Sequence, residues 1–199
     1  DYSHPRVRQW RYGVGVTGYY LIEPADPQPP SAPVVVFVHG YTIANPRNYA
    51  GWITHLVRKG NTVIYPVYQG GYAARREDFA GNALKGAVDA YLQLHEPNHV
   101  PPDGGHLVVI GHSLGASIGA FITAEAANAG LPPVAALLLA NPGDAEAEES
   151  QVLSRVDFAG IASETLMLAV AGDADVLPTV DVAMMIFDET PQVPLANKV

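Results

Sequence analysis

Short aliphatic runs alternate along the chain with longer segments whose apolar residues recur at helical spacing. Unbroken apolar runs are typical of strands buried on both faces of a sheet, and they occur at 34–38, 62–66, 107–110, 134–140 and 165–171. Periodicity and small-residue content predict helices at 45–60, 79–94, 114–129 and 179–187. This alternation predicts an α/β fold with a mostly parallel central sheet and helices on both faces.

The first thirty residues follow a different pattern. Residues 7–22 alternate loosely between apolar and small or polar side chains, which predicts a β-hairpin. Prolines at positions 24, 27, 29 and 30 then remove ladder donors, so residues 24–30 are expected to form an extended surface connector. No other stretch marks a domain boundary, and 199 residues with 48% hydrophobic content suit one domain spanning 1–199.

The most informative stretch is 107–116, where an aliphatic run ends at a serine held between two glycines. The pattern places Ser113 in a tight turn between a buried strand and a helix that starts at Leu114. Such a turn strains its central residue, and Gly111 and Gly115 tolerate the crowding because they lack a Cβ. The turn exposes the serine hydroxyl and directs the first free amides of the helix toward any group bonded to it. An acyl-transfer site is therefore predicted, the alternative being a serine that only caps the helix.

Charge and composition narrow the possible partners. The formal net charge is −9 and no basic cluster exists beyond Arg75 and Arg76, so nucleic acid is not expected as a partner. No apolar run approaches the ~18 residues that a membrane-spanning helix needs. The sequence contains no cysteine, which excludes disulfides and thiolate metal sites. These features leave the compartment and the oligomeric state open.

Three polar segments follow predicted strands, at the sheet edge where ligands of α/β proteins gather. They are 39–42 (His-Gly-Tyr-Thr), 111–115 (Gly-His-Ser-Leu-Gly) and 172–178 (Gly-Asp-Ala-Asp-Val-Leu-Pro). Together they resemble the α/β-hydrolase superfamily, and the resemblance extends over residues 6–190. The Gly-Tyr-Thr of the first segment is similar to the lidless esterase and polyester-hydrolase branch. The resemblance implies a serine nucleophile, a carboxylate that orients a histidine, and an oxyanion hole made of two backbone amides.

Individual roles follow from the positions that match this pattern. Ser113 corresponds to the nucleophile, and the amides of Tyr41 and Leu114 correspond to the donors of the oxyanion hole. Such donors matter because charge develops on the carbonyl oxygen only as the tetrahedral intermediate forms. Asp175 corresponds to the acid and Asp173 is the second choice, the alternative for each being a turn residue that hydrogen-bonds its own backbone.

The histidines depart from the superfamily pattern, which places the catalytic base after the acid. All seven precede Asp175, at positions 4, 39, 55, 95, 99, 106 and 112. His39 and His112 lie inside motifs, where we expect them to hold loops by hydrogen bonds, and His106 begins a strand remote from Ser113. Without a base the hydroxyl is a poor nucleophile. We therefore expect the catalytic histidine beyond residue 199, in a C-terminally incomplete hydrolase that lacks the last strand and helix of the fold.

The surroundings of the predicted site are expected to be open, because the segment between 140 and 165 is too short for a large helical cap. The acidic residues of this segment indicate a solvated loop rather than a metal site; they are Asp144, Glu146, Glu148 and Glu149. Neither a metal nor a cofactor is expected. Tyr41, Tyr68 and Tyr72 follow strand ends and are candidates for the wall of an apolar substrate pocket. They could equally be ordinary partly buried aromatics.

Three classes of function remain open from the sequence. The first is a serine hydrolase that cleaves small-molecule or polymeric carboxylic esters through an acyl-enzyme. The second is amide hydrolysis, acyl transfer or perhydrolysis on the same scaffold, because one fold hosts many chemistries. The third is a non-catalytic binding protein that has lost its base. A histidine encoded shortly after Val199 would separate the first class from the third, and paired ester and amide substrates would separate the first from the second.

Overall fold

A seven-stranded sheet forms the centre of the computed structural model, which describes residues 2–70, 75–143, 152–172 and 179–199. The strands, in chain order, are β1 (Arg6–Tyr12), β2 (Tyr19–Ala25), β3 (Ala32–Val38), β4 (Thr62–Pro66), β5 (Pro102–His112), β6 (Val134–Ala140) and β7 (Leu166–Val170). Their order in the sheet is β1-β2-β4-β3-β5-β6-β7. β3 to β7 run parallel, whereas β2 is antiparallel to both of its neighbours. The predicted hairpin and the mostly parallel sheet are thus confirmed.

Four α-helices occur among the described residues: α1 (Ala50–Arg58), α2 (Phe79–Gln93), α3 (Leu114–Glu125) and α4 (Thr179–Asp188). Alternate side chains of β3 enter opposite cores, which is the period-2 geometry of a strand. Val34, Val36 and Val38 pack with α2 and α3, whereas Val35 and Phe37 pack with α1. Helices therefore cover both faces of the sheet, as predicted for the α/β-hydrolase fold. None of the described helices is long and apolar enough to cross a membrane.

The helix predicted to start after Asn45 begins differently from the prediction. Pro46–Tyr49 form a 3₁₀ turn, and the α-helix starts at Ala50. The Asn45 side chain accepts a hydrogen bond from the amide of Arg47 (3.0 Å), so Asn45 caps the 3₁₀ turn and not the α-helix. This turn sets the position of Tyr49 at the start of α1.

β7 is less buried than the sequence predicted. Leu166, Leu168 and Val170 are 56%, 42% and 53% exposed, whereas Met167 between them is buried. The prediction of a strand buried on both faces is wrong here, because no described helix covers this face of β7. On its outer edge, the last two residues of the chain pair with β7: the amide of Val199 donates to the carbonyl of Met167 (2.9 Å), and Ala169 donates to the carbonyl of Val199 (2.8 Å).

Two glycines allow β5 and α3 to meet in a tight turn. A Cβ on Gly115 would overlap the carbonyl oxygens of Val38 and His39, at the end of the neighbouring strand β3. A Cβ on Gly111 would overlap the backbone of the first turn of α3, at Gly115 and Ala116. The start of α3 therefore lies directly against the ends of β3 and β5. This close approach is possible only where both residues are glycine.

Replacing Gly115 with alanine should destabilise the fold, because the added methyl meets backbone oxygens that cannot move without shifting β3. We expect a loss of at least about 3 kcal/mol in the free energy of unfolding, measured by urea denaturation. Gly81→Ala is the matched control, since Gly81 also lies near the start of a helix but has no neighbour within 4 Å. It should gain about 0.5–1 kcal/mol through higher helix propensity. Equal effects of the two substitutions would contradict the close approach.

Candidate active site

Ser113 lies between β5 and α3 in a strained backbone conformation. Its φ is 54° and its ψ is −129°, which is outside the regions that residues with a side chain ordinarily adopt. The residue is half-buried, and no described residue forms a hydrogen bond with its hydroxyl. Backbone lies close on two sides: a Cβ on Gly40 would be 3.3 Å from Ser113 Cβ, and a Cβ on Gly143 would be 3.7 Å from Ser113 Oγ. Gly40 thus lies against the Cβ of Ser113, and Gly143 lies beside its hydroxyl.

Three backbone hydrogen bonds fix the turn around Ser113. Its amide donates to the carbonyl of Ala140 (3.0 Å), at the end of β6. Its carbonyl accepts from the amides of Ala116 (2.8 Å) and Gly143 (3.2 Å). The amide of Leu114 has no partner among the described residues and belongs to the positive end of the α3 dipole. A donor is therefore available beside the hydroxyl.

The loop 39–43 faces this turn and is held by several hydrogen bonds of its backbone groups. Within the loop, the carbonyl of Gly40 accepts from the amide of Ile43 (3.1 Å). The amide of Thr42 donates to the buried side chain of Gln69 (2.7 Å), and the carbonyl of Ile43 accepts from the hydroxyl of Tyr65 (2.6 Å). The amide of Tyr41 remains without a partner among the described residues. The loop is therefore held in place, and the amide of Tyr41 is available to a ligand.

His39 orients the peptide that carries this free amide. Its Nδ1 lies 2.7 Å from the carbonyl oxygen of Gly40, and because a carbonyl only accepts, Nδ1 must carry the proton. The peptide between Gly40 and Tyr41 is trans, so fixing its carbonyl on the His39 side points the amide of Tyr41 the opposite way.

Burial keeps the His39 ring uncharged. The ring is stacked on Tyr68 (4.1 Å between centroids) and on Tyr65 (5.3 Å), and Nε2 is buried without a hydrogen-bond partner among the described residues. This loss of hydration lowers the pKa of His39 to about 4, although its hydrogen bond with Gly40 acts in the opposite direction. His39 is therefore a neutral structural residue at ordinary pH.

Tyr68 does not line a pocket, contrary to the sequence-based placement. Its side chain is fully buried, and its hydroxyl donates to the carbonyl of His39 (2.6 Å). The residue follows a strand end, as predicted, but its ring turns under the loop 39–43 instead of toward solvent. Its side chain therefore supports that loop, and Tyr68 is fully buried where the alternative reading expected a partly buried aromatic.

Tyr41, the second pocket candidate, has a half-buried ring. The guanidinium of Arg76 lies 4.9 Å above the ring and donates to its hydroxyl (3.3 Å), while Phe79 packs beside it (6.4 Å between centroids). Tyr72 and both candidate acids, Asp173 and Asp175, lie outside the described residues. The acidic segment 144–149 lies outside them as well.

None of the seven histidines forms a hydrogen bond with the hydroxyl of Ser113. His4, His55, His95 and His99 bond instead to Pro27, Tyr2, Tyr91 and Glu23 respectively. His39 binds the carbonyl of Gly40, His112 lies 2.9 Å from the hydroxyl of Tyr49, and His106 is exposed near the start of β5. The expectation that His39 and His112 hold loops agrees with these contacts.

Sequence reasoning missed three residues that shape the site. Gly143 lies beside the Ser113 hydroxyl, Gln69 binds the loop 39–43, and the hydroxyl of Tyr49 accepts from the amide of Gly40 (2.9 Å). Gly143 and Gln69 each follow the end of a central strand, which is the signal that could have found them. Tyr49 gave no such signal, because it lies within the segment predicted to be a helix at 45–60 and follows no strand.

Comparison with solved structures shows the same architecture in several esterases. An esterase from Rhizomucor miehei superposes with a TM-score of 0.71 at 15% identity, over 100% of this chain and 75% of that one. Esterase B from Lactobacillus rhamnosis, inhibited by a tributyrin phosphonate, gives 0.68 at 12% identity, over 94% and 72%. Carboxyl esterase 2 from Tuber melanosporum gives 0.67 at 16% identity, over 93% and 71%. At such identities the likeness shows a shared fold.

The sequence itself matches one family model. No curated protein matches the chain at a significant level. The model described as chlorophyllase, in contrast, matches residues 21–170, which run from within β2 to the end of β7 and include the turn at Ser113. With its α/β-hydrolase fold, the chain belongs to the chlorophyllase family.

Proposed function

We propose that the protein is a serine hydrolase that cleaves carboxylic esters through an acyl-enzyme intermediate. The observation that carries this proposal is the hydroxyl of Ser113, unpartnered among the described residues and presented on a strained turn at the start of α3. The amides of Tyr41 and Leu114 have no partner among the described residues: Leu114 directly follows Ser113, and Tyr41 directly follows Gly40, which lies against Ser113. A nucleophile with two free donors beside it suits acyl transfer.

The chemistry follows from this arrangement. The oxygen of Ser113 attacks the ester carbonyl carbon and its proton passes to a base, which gives that proton to the departing alcohol. Negative charge on the former carbonyl oxygen is stabilised by the amides of Tyr41 and Leu114, which are fixed before the reaction and need no rearrangement. Water activated by the same base then attacks the acyl-enzyme, which releases the carboxylic acid and restores Ser113.

The base is proposed to be a histidine outside the 199 residues, oriented by Asp175. The support is that each hydrogen-bonded histidine of this chain is engaged elsewhere, and that none forms a hydrogen bond with the hydroxyl of Ser113. Asp175 remains the preferred carboxylate on the superfamily pattern, with Asp173 second. The oxyanion donors, in contrast, are all contained in the described chain.

Esters are favoured over other acyl substrates by the family and by the fold comparisons. The chain belongs to the chlorophyllase family, and the three solved structures compared above are all named as esterases. Amide hydrolysis and acyl transfer would use the same nucleophile and oxyanion hole, so a substrate panel must distinguish them. A non-catalytic binding protein would not need a strained, unpartnered serine.

Ser113→Ala should abolish ester hydrolysis by the complete natural protein. We expect the turnover of short-chain nitrophenyl esters to fall by at least about a thousandfold, because the acyl-enzyme cannot form. The variant should keep the thermal midpoint of the wild type, since the lost hydroxyl has no described partner.

Thr123→Ala is the matched control. The hydroxyl of Thr123 also lies on α3, but it donates to the carbonyl of Gly119 (2.8 Å) inside the helix and holds no residue of the site. The control variant should keep most of the activity. Full activity of Ser113→Ala would exclude Ser113 as the nucleophile.

The pH dependence of stability tests the neutral state assigned to His39. Its pKa is lowered from 6.5 to about 4 by burial, so between these pH values the folded protein binds fewer protons than the unfolded chain. This residue therefore contributes stability that is fully present above pH 6.5 and is lost as the pH falls toward 4. We expect the free energy of unfolding, from urea titrations, to fall more steeply over this range in the wild type than in His39→Asn.

Asparagine keeps an N–H for the Gly40 carbonyl but does not titrate. Equal slopes for the two proteins would contradict the assignment. A loss of about a thousandfold or more in esterase activity of His39→Asn at neutral pH would instead identify His39 as the base.

A further inference from the structure

A single hydroxyl connects the two halves of the proposed site. Tyr49 Oη accepts the amide hydrogen of Gly40 (2.9 Å) and lies 2.9 Å from Nδ1 of His112. The three groups are packed together, since a Cβ on Gly40 would lie 3.2 Å from His112 Nδ1 and 3.3 Å from Tyr49 Oη. Gly40 directly precedes Tyr41, and His112 directly precedes Ser113. The hydroxyl therefore joins the residue before one proposed oxyanion donor to the residue before the proposed nucleophile.

The positions of the protons follow from the partners. The amide of Gly40 can only donate, so Tyr49 Oη accepts there and its own hydrogen is free for His112. Nδ1 of His112 then acts as an acceptor, which requires a neutral ring with the hydrogen on Nε2. Burial lowers the pKa of His112 and raises the pKa of Tyr49, so both groups favour the uncharged forms that this arrangement needs.

Tyr49 is held firmly enough to act as a fixed point. It ends the 3₁₀ turn that Asn45 caps, and its ring packs against Phe37 (4.9 Å between centroids) in the core under α1. The rings of Tyr49 and His112 pack edge to face, with 5.6 Å between their centroids. The position of the hydroxyl is thus set by packing on the α1 face of the sheet, independently of the loop and the turn that it joins.

We propose that Tyr49 is a positioning residue that sets the distance between the oxyanion hole and Ser113. This inference rests on the proposed function and deepens it. The hydroxyl holds the amide of Gly40, while His39 holds the carbonyl of the same residue. The peptide groups before and after the Gly40 Cα are therefore both held, and the second of them carries the Tyr41 amide. The bond to His112 ties Gly40 to the turn of Ser113. Tyr49 makes no contact with substrate; it acts through Gly40 and His112.

Tyr49→Phe removes this hydroxyl and keeps the ring packed against Phe37. In the complete natural protein we expect kcat for a nitrophenyl ester to fall about tenfold while KM stays within about twofold, because a displaced donor weakens binding of the transition state more than that of the substrate. Tyr12→Phe is the matched control, since it also removes a tyrosine–histidine hydrogen bond of 2.9 Å, to His99. It should leave both constants unchanged.

Variants of His112 test whether the connection acts as one unit. His112→Ala should lower kcat about as much as Tyr49→Phe, and the double variant should be no worse than either single variant, because both remove the same bridge. His112→Asn offers an amide oxygen near the position of Nδ1 and should restore most of kcat. The amide resonance of Gly40 should shift in the ¹H–¹⁵N spectrum of Tyr49→Phe, and it should not shift in Tyr12→Phe.

The outcomes separate the two proposals. An active wild type with unchanged kcat in Tyr49→Phe, or with additive effects in the double variant, overturns the positioning role and leaves the esterase function standing. An equal loss of kcat in Tyr12→Phe would show that the loss in Tyr49→Phe reflects general stability, and would also overturn the positioning role. A wild type without activity on any ester overturns the proposed function, and the positioning role with it.

Discussion

The site depends on the contact between the first turn of α3 and the end of β3, where Gly115 lies against the carbonyl oxygens of Val38 and His39. No side chain fits between these backbones, so close backbone packing brings the loop after β3 and the turn after β5 together. The strained conformation of Ser113 is a consequence, since its φ of 54° is what allows β5 to enter α3 so abruptly. Strain at one residue is thus maintained by the packing of two strands and a helix.

The hydrogen bonds made within the protein determine which backbone donors remain available in the site. In the loop 39–43, the amides of Gly40, Thr42 and Ile43 are all used inside the protein, and the amide of Tyr41 is not, as far as the described residues extend. The amide of Tyr41 and the hydroxyl of Ser113 are thus the polar groups that the loop and the turn leave for a ligand. The neutral ring of His39, stacked between two tyrosines, supports this arrangement without adding charge.

Much of the fold and the centre of the site could be predicted from the sequence, because both follow from local patterns. The aliphatic runs gave the central strands, and the spacing of Gly111, Ser113 and Gly115 gave the turn. The rest depends on tertiary packing. The sequence shows that Tyr68 follows a strand but not that its ring turns inward to His39, and it shows Tyr49 on an apolar helix face but not the two partners of its hydroxyl. The exposure of β7 likewise depends on which elements pack against it.

The central claim is that Ser113 is a nucleophile served by the amides of Tyr41 and Leu114. The most direct measurement is a crystal structure of the complete natural protein after reaction with an alkyl phosphonate that mimics the tetrahedral intermediate of ester cleavage. The account predicts phosphorus bonded to Oγ of Ser113, with the phosphonyl oxygen about 2.7–3.1 Å from both amide nitrogens. A phosphonate bound to another residue, or one whose oxygen points away from both amides, would contradict it.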